Sequence, residues 1–179
     1  MQIKIFSFIY FLINIQFLFA QTEWKSFTPP GQHFEVTVPG EMKNGEKKLL
    51  TDVGEMHPVT WIYEGKGDDK NHLYLLSYVD YPSGTFHQDS TALIQELLQV
   101  SMETHVSDLN GALAYTSDAP YGQYPGIIYR ASYNDNKLVV KSRMVLIGDR
   151  FYAIQVYTTS DKSLNADMNR YLESFRAKP

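Results

Sequence analysis

The chain has 179 residues, no cysteine, 44% hydrophobic residues and a formal net charge of −4. Lack of cysteine removes disulfides, thiol nucleophiles and cysteine-based zinc sites. A mildly acidic balance with dispersed acidic residues argues against nonspecific nucleic-acid binding. The opening, MQIKIFSFIYFLINIQFLFAQT, places Lys4 before an apolar run that ends at Ala20. That is the layout of an export signal, with cleavage expected between Ala20 and Gln21. An uncleaved anchor is the rival reading, but the run is shorter than the roughly 20 residues of a bilayer span. Asn14 and Gln16 also interrupt it, although Leu18 is bulkier than the small residue usual two places before a cut. No cysteine follows the run, which excludes a lipoprotein anchor there.

Loss of residues 1–20 leaves 159 of the 179 residues, 21–179, as one domain, and loss of Lys4 makes the charge −5. A domain of that length buries roughly two-thirds of its unfolded surface and needs no covalent staples. Residues 24–28 and 33–38 read as short strands joined by Pro29-Pro30-Gly31-Gln32, and Pro39-Gly40 closes the second. Residues 49–53 and 59–63 are two further apolar runs, followed by the polar loop EGKGDDKNH. In LYLLSYV, Leu73, Leu75 and Val79 share one face and Tyr74, Leu76 and Tyr78 the other. A strand apolar on both faces is expected at the centre of a covered sheet.

The period then changes. Leu93, Ile94, Leu97, Leu98 and Met102 recur at helical spacing, predicting a helix over 90–105 with Asp89 or Ser90 as its cap. A short strand near 112–116 follows, then strands over 127–133, 137–147 and 150–158, separated by Asn134-Asp135-Asn136 and Gly148-Asp149. Leu164, Met168, Tyr171, Leu172 and Phe175 form the apolar face of a closing helix. Hairpins in sequence, rather than repeated strand–helix units, indicate an α+β fold: a mostly antiparallel β-sheet flanked by helices. There is no internal repeat.

Three stretches, FTPPGQHFEVTVPG, YLLSYVDYP and RMVLIGDRFYAIQVYTT…MNRYLESFRA, resemble the PsbP/Mog-like α/β/α sandwich, in particular its small secreted bacterial members. The resemblance covers most of the chain after residue 20, and it rests on hydrophobic pattern and a terminal LxSF helix. The family includes a photosystem accessory protein and a Ran-binding factor, and its members are not usually enzymes. No functional motif of either partner-binding protein is matched residue by residue.

Catalytic signatures are absent from the sequence: no GxSxG elbow, no HExxH helix and no EF-hand aspartate series. GKGDDK, from Gly65, has two glycines of a dinucleotide loop but not the third. His33, His57, His72, His87 and His105 lack ligand spacing; strands could gather the first three, but surface positions are the simpler reading. Asp68 and Asp69 read as a solvated loop rather than a calcium site, and Asp80 as an acceptor in the turn before Pro82. In YGQYPGIIYR, Pro125-Gly126 is read as the turn into the next strand, while Tyr121 and Tyr124 are candidate recognition aromatics. If both late hairpins keep an even register, Arg130 lies opposite Lys141, with Arg143 one pair farther along the same face. The three cations are then either a structural end of the sheet or a shallow anion site.

The expectation is a noncatalytic secreted or envelope protein, periplasmic or extracellular, that serves as a binding or accessory module for a protein partner. It calls for no cofactor, no metal, no nucleic acid and no stable membrane span after cleavage. Two alternatives are a small-molecule or lipid carrier with a pocket between sheet and helix, and an enzyme whose site is built from sequence-distant residues.

Overall fold

The computed structural model describes residues 23–46, 49–51, 54–56, 58–67, 69–87 and 90–177. The expected export segment, His57, Asp68 and Asp89 lie outside these residues. Twelve strands and two helices follow in order: β1 (Lys25–Phe27), β2 (Phe34–Val38), β3 (Lys43–Glu46), β4 (Leu49–Thr51), β5 (Gly54–Met56), β6 (Val59–Glu64), β7 (Leu73–Asp80), α1 (Thr91–Asp108), β8 (Ala112–Asp118), β9 (Gly126–Tyr133), β10 (Leu138–Ile147), β11 (Arg150–Thr159), α2 (Ala166–Glu173) and β12 (Arg176–Ala177). Seven of the strands form the main sheet in the order β3-β6-β7-β11-β10-β9-β8, every neighbouring pair antiparallel. β1-β2-β12 form a small second sheet and β4-β5 a hairpin.

Local chemistry explains the late hairpins. Asn134, Asp135 and Asn136 all adopt left-handed backbone (φ 52°, 52° and 61°), which Asn and Asp tolerate better than most residues. At the next turn Gly148 takes φ 62° between the paired residues Ile147 and Arg150, the conformation a two-residue hairpin asks of its first position. Tyr121-Gly122-Gln123-Tyr124 is a third tight turn: the backbones of Tyr121 and Tyr124 exchange hydrogen bonds of 2.9 and 3.0 Å. The turn therefore precedes Pro125-Gly126, where the sequence suggested it. Gly126 is instead the first residue of β9, pressed so closely that a Cβ would lie 2.7 Å from the Ala119 carbonyl oxygen and 2.8 Å from that of Met144.

Each face of the main sheet is covered. On one face α1 packs Ile94, Leu98, Met102 and Val106 against Tyr129, Ala131, Val140, Met144 and Leu146. On the other, α2 and the small sheet bury Phe34, Val36, Met168, Tyr171, Leu172 and Phe175 against Tyr74, Leu76, Tyr152, Ile154 and Val156. β7 is central as expected, with Tyr74, Leu76 and Tyr78 buried on the α2 side. Asn165 caps α2 by accepting from Met168 N (3.2 Å), and its amide donates to the fully buried Asn71 (2.8 Å).

Several sequence expectations need correction. The first helix runs to Asp108, and its core stripe continues to Val106 while Leu93 is 48% exposed. Ser90 occupies the N-cap position without making a side-chain cap bond. Leu164 precedes the last helix and is 88% exposed, because α2 begins only at Ala166; Phe175 is fully buried but lies beyond the helix end. Asp80 does not serve the turn. It holds the Arg150 guanidinium on two nitrogens, one at 2.8 Å, while Arg150 also donates to Gln32 (2.7 Å) and lies 4.8 Å over the Tyr78 ring. The turn acceptor is Asp149, whose carboxylate takes the backbone N–H groups of Gly84 (2.7 Å) and Phe86 (3.0 Å).

Candidate functional site

The four-residue connection between Tyr133 and Leu138 keeps the β9–β10 register even. Arg130 consequently pairs with Lys141, and Arg143 lies opposite Ile128 on β9 and Ile154 on β11. All three cations project on the α2 side, where they find neutral oxygens. Arg130 Nη2 donates to Ser163 Oγ (2.6 Å), Lys141 Nζ to Asn169 Oδ1 (2.6 Å), and Arg143 Nη2 to the carbonyls of Pro120 (3.0 Å) and Ala119 (3.4 Å). Among the described residues, none of the three has a carboxylate oxygen within the 4.0 Å of a salt bridge. Arg143 Nε is buried with no hydrogen-bond partner.

The electrostatics agree with a local excess of positive charge. The Arg143 guanidinium is held below its ordinary pKa, chiefly by burial and then by the nearby charge of Arg176; Tyr121 and Glu173 act in the opposite sense. Arg176 is exposed on β12 and donates to the carbonyls of Glu173 (2.6 Å) and Phe175 (2.7 Å). Tyr121 closes this end of the row: its hydroxyl accepts from Ala177 N (3.0 Å), and its ring packs on Phe175 at 5.6 Å between centroids. The fold thus brings Arg130, Lys141, Arg143 and Tyr121 to one side of the sheet. Tyr124, across the tight turn, lines a cleft of about 540 Å³ with Phe86, His87, Ile94 and Leu146 at the end of α1.

The histidines do not gather. His33, His72 and His87 are exposed, and no group of three metal-ligating side chains occurs among the described residues. Asp69 caps its own loop, accepting from Tyr63 Oη and Lys66 N at 2.7 Å each.

The sequence reading missed a polar cluster beneath α1. His105 Nδ1 lies 2.5 Å from Tyr129 Oη and Nε2 lies 3.0 Å from Tyr157 Oη, while Tyr157 donates to Gln155 Oε1 (3.3 Å). Burial lowers the pKa of His105, with the Asp108 charge opposing, and pushes the Tyr129 phenol up to about 12. Two signals were available. His105 falls seven residues after Leu98, on the buried stripe of α1, and Gln155 interrupts an apolar strand.

No helix among the described residues is long and apolar enough to cross a membrane. No protein-family model matches the sequence, and no curated protein does. A solved structure does share the architecture: the solution structure of cyanobacterial PsbP (CyanoP) from Synechocystis sp. PCC 6803, at 12% identity and a TM-score of 0.52, covers 88% of this chain and 94% of its own. At that identity the likeness speaks for the fold, and the chain has a PsbP-like α+β fold.

Proposed function

We propose that this protein is an exported, noncatalytic accessory module that binds an acidic group of a protein partner in the cell envelope on the row Arg130, Lys141 and Arg143, with Tyr121 at its end. One observation carries the reading. The three cations gather on one side of an acidic chain with no carboxylate within salt-bridge distance among the described residues, and Arg143 Nε is unpartnered. Bonds to Ser163, Asn169 and the Pro120 carbonyl anchor the row without neutralising its charge. Arginine and lysine without a carboxylate partner suit a carboxylate or phosphate, and such charge-assisted bonds contribute about 1.5–3 kcal/mol each. The PsbP-like fold supports an accessory role, and the apolar opening that ends at Ala20 supports export.

The test is calorimetric titration of the protein with triglutamate and with inorganic phosphate, repeated on the Arg130→Ala/Arg143→Ala double variant. Lost binding at an unchanged denaturation midpoint is the expected result. Unchanged binding with a lowered midpoint assigns the row to structure. Export is checked separately by mass spectrometry of the secreted protein, which is expected to begin at Gln21.

A second reading, carriage of a small apolar molecule or lipid, draws on the cleft of about 540 Å³ walled by Phe86, Ile94, Tyr124 and Leu146. Displacement of a bound apolar dye, lost in Ile94→Glu, distinguishes it.

A further inference from the structure

The two edges of the main sheet differ in how they are guarded. β3 is four residues long and carries the exposed Lys43, a charge that opposes the approach of another strand. β8 is seven residues long and exposed throughout, with no lysine or proline and with its one charge, Asp118, at the end. Leu113 and Tyr115 are 43% and 41% exposed on it. Among the described residues no strand pairs with its outer side.

The ladder identifies which backbone groups face outward. Ala119 N donates to Gly126 O (2.8 Å), so in the regular part of the pairing Ser117 and Tyr115 bond to β9. The N–H and C=O groups of Thr116 and Asp118 then point away from the sheet. A bulge between Leu113 and Tyr115 shifts the phase of the side chains. Leu113 pairs with Ala131, which is packed under α1, whereas Tyr115 pairs with Arg130 on the α2 side. Asp118 pairs with Ile127, again on the α1 side, so its charge is turned away from the basic row.

We propose that β8 receives an extended acidic segment of a partner protein as an eighth strand. Its main chain pairs with Thr116 and Asp118, and its carboxylates lie on the α2 side facing Tyr115 and the row headed by Arg130. Charge complementarity selects this occupant, since the row lacks carboxylate partners among the described residues. Strands lie about 4.8 Å apart, so the added strand runs roughly 10 Å from β9, within one Debye length and within the joint reach of Arg and Glu side chains. On its α1 side the segment carries apolar residues that cover Leu113. The preference for acidic residues rests on the anion reading of the row; the main-chain pairing does not.

The probe is a labelled synthetic peptide of alternating valine and glutamate, followed by fluorescence anisotropy and by amide exchange of the full chain. Saturable binding is expected, with slowed exchange at Thr116 and Asp118. The lysine-for-glutamate peptide is expected to bind at least about tenfold more weakly. Thr116→Pro removes an outward N–H and no bond to β9, and should weaken the glutamate peptide at least about tenfold while leaving triglutamate binding intact. The same peptide N-methylated on its edge-facing amides should fail equally, which makes the result independent of whether the proline variant folds. If both of these bind like the originals, the edge-strand inference is overturned while the anion row stands. If the lysine peptide binds as tightly as the glutamate one, the acidic partner is overturned. If the protein sediments as a dimer and Thr116→Pro as a monomer, the edge belongs to a second copy and the inference is also overturned.

Discussion

The two faces of the main sheet solve the burial of polar atoms in opposite ways. Under α1 the polar groups are brought together: His105, Tyr129, Tyr157 and Gln155 satisfy one another beside the apolar stripe of the helix. Under α2 the packing is aromatic, with Phe34, Tyr152 and Phe175 in mutual contact at 5.0 to 6.2 Å. There the Tyr171 hydroxyl is fully buried without a partner, and the cations in the row beside the helix meet neutral oxygens rather than carboxylates. The difference teaches that identical chemical groups on one sheet differ in worth according to whether a partner is buried with them.

Four measurements probe this contrast. The largest effect is expected at the aromatic hub of the α2 face. Phe175→Ala should cost about 3–5 kcal/mol in urea denaturation, because a fully buried ring between Phe34, Tyr121 and Tyr152 leaves a cavity that the sheet cannot fill. A loss below about 1 kcal/mol would mean that the small sheet and α2 are not clamped on this ring.

Tyr129→Phe should cost about 1–3 kcal/mol, because it deletes the partner of His105 Nδ1 while keeping the ring in place. A neutral result would show that the α1 cluster does not stabilise that face.

The next effect depends on pH. His105 has its pKa lowered by burial from the ordinary 6.5. Below about pH 6.5 the unfolded chain takes up a proton that the folded chain resists, so stability is fully present above that range and falls as pH drops through it. Denaturation midpoints of the protein and of His105→Gln, compared between about pH 7.5 and about pH 5, should diverge, the parent losing more. Parallel curves would place His105 in water rather than between two phenols.

Tyr171→Phe is the smallest effect and carries the opposite sign. Its hydroxyl has no partner, so removal should be neutral or stabilise by up to about 1 kcal/mol. The same deletion of one oxygen at Tyr129 and at Tyr171 thereby reads out the difference between the faces, and equal costs at both would erase it.

Much of the architecture was legible in the chain. The two-sided apolar run of LYLLSYV marks a central strand; the left-handed tolerance of Asn134-Asp135-Asn136 and the freedom of Gly148 set the even registers. Those registers in turn put Arg130, Lys141 and Arg143 on one side, a consequence of a side-chain period of two. What the chain did not reveal depended on partners far away in sequence. Asp80 reads locally as a turn residue, yet Arg150, seventy positions on, takes its carboxylate and leaves the turn to Asp149. Tyr121 reads locally as part of a tight turn, and its hydroxyl meets the backbone of Ala177, fifty-six positions on. Leu93 and Leu164 follow the apolar pattern but stay exposed, because a helical period predicts a stripe and not where the neighbouring element stops covering it. Periodicity and turn chemistry act over a few residues and are written in the sequence. Which donor meets which acceptor, and which strand is left at the edge, follows only from the antiparallel order that places β8 last and α2 over the cations. That order is decided by burying both faces at once, a condition that no short stretch of sequence contains.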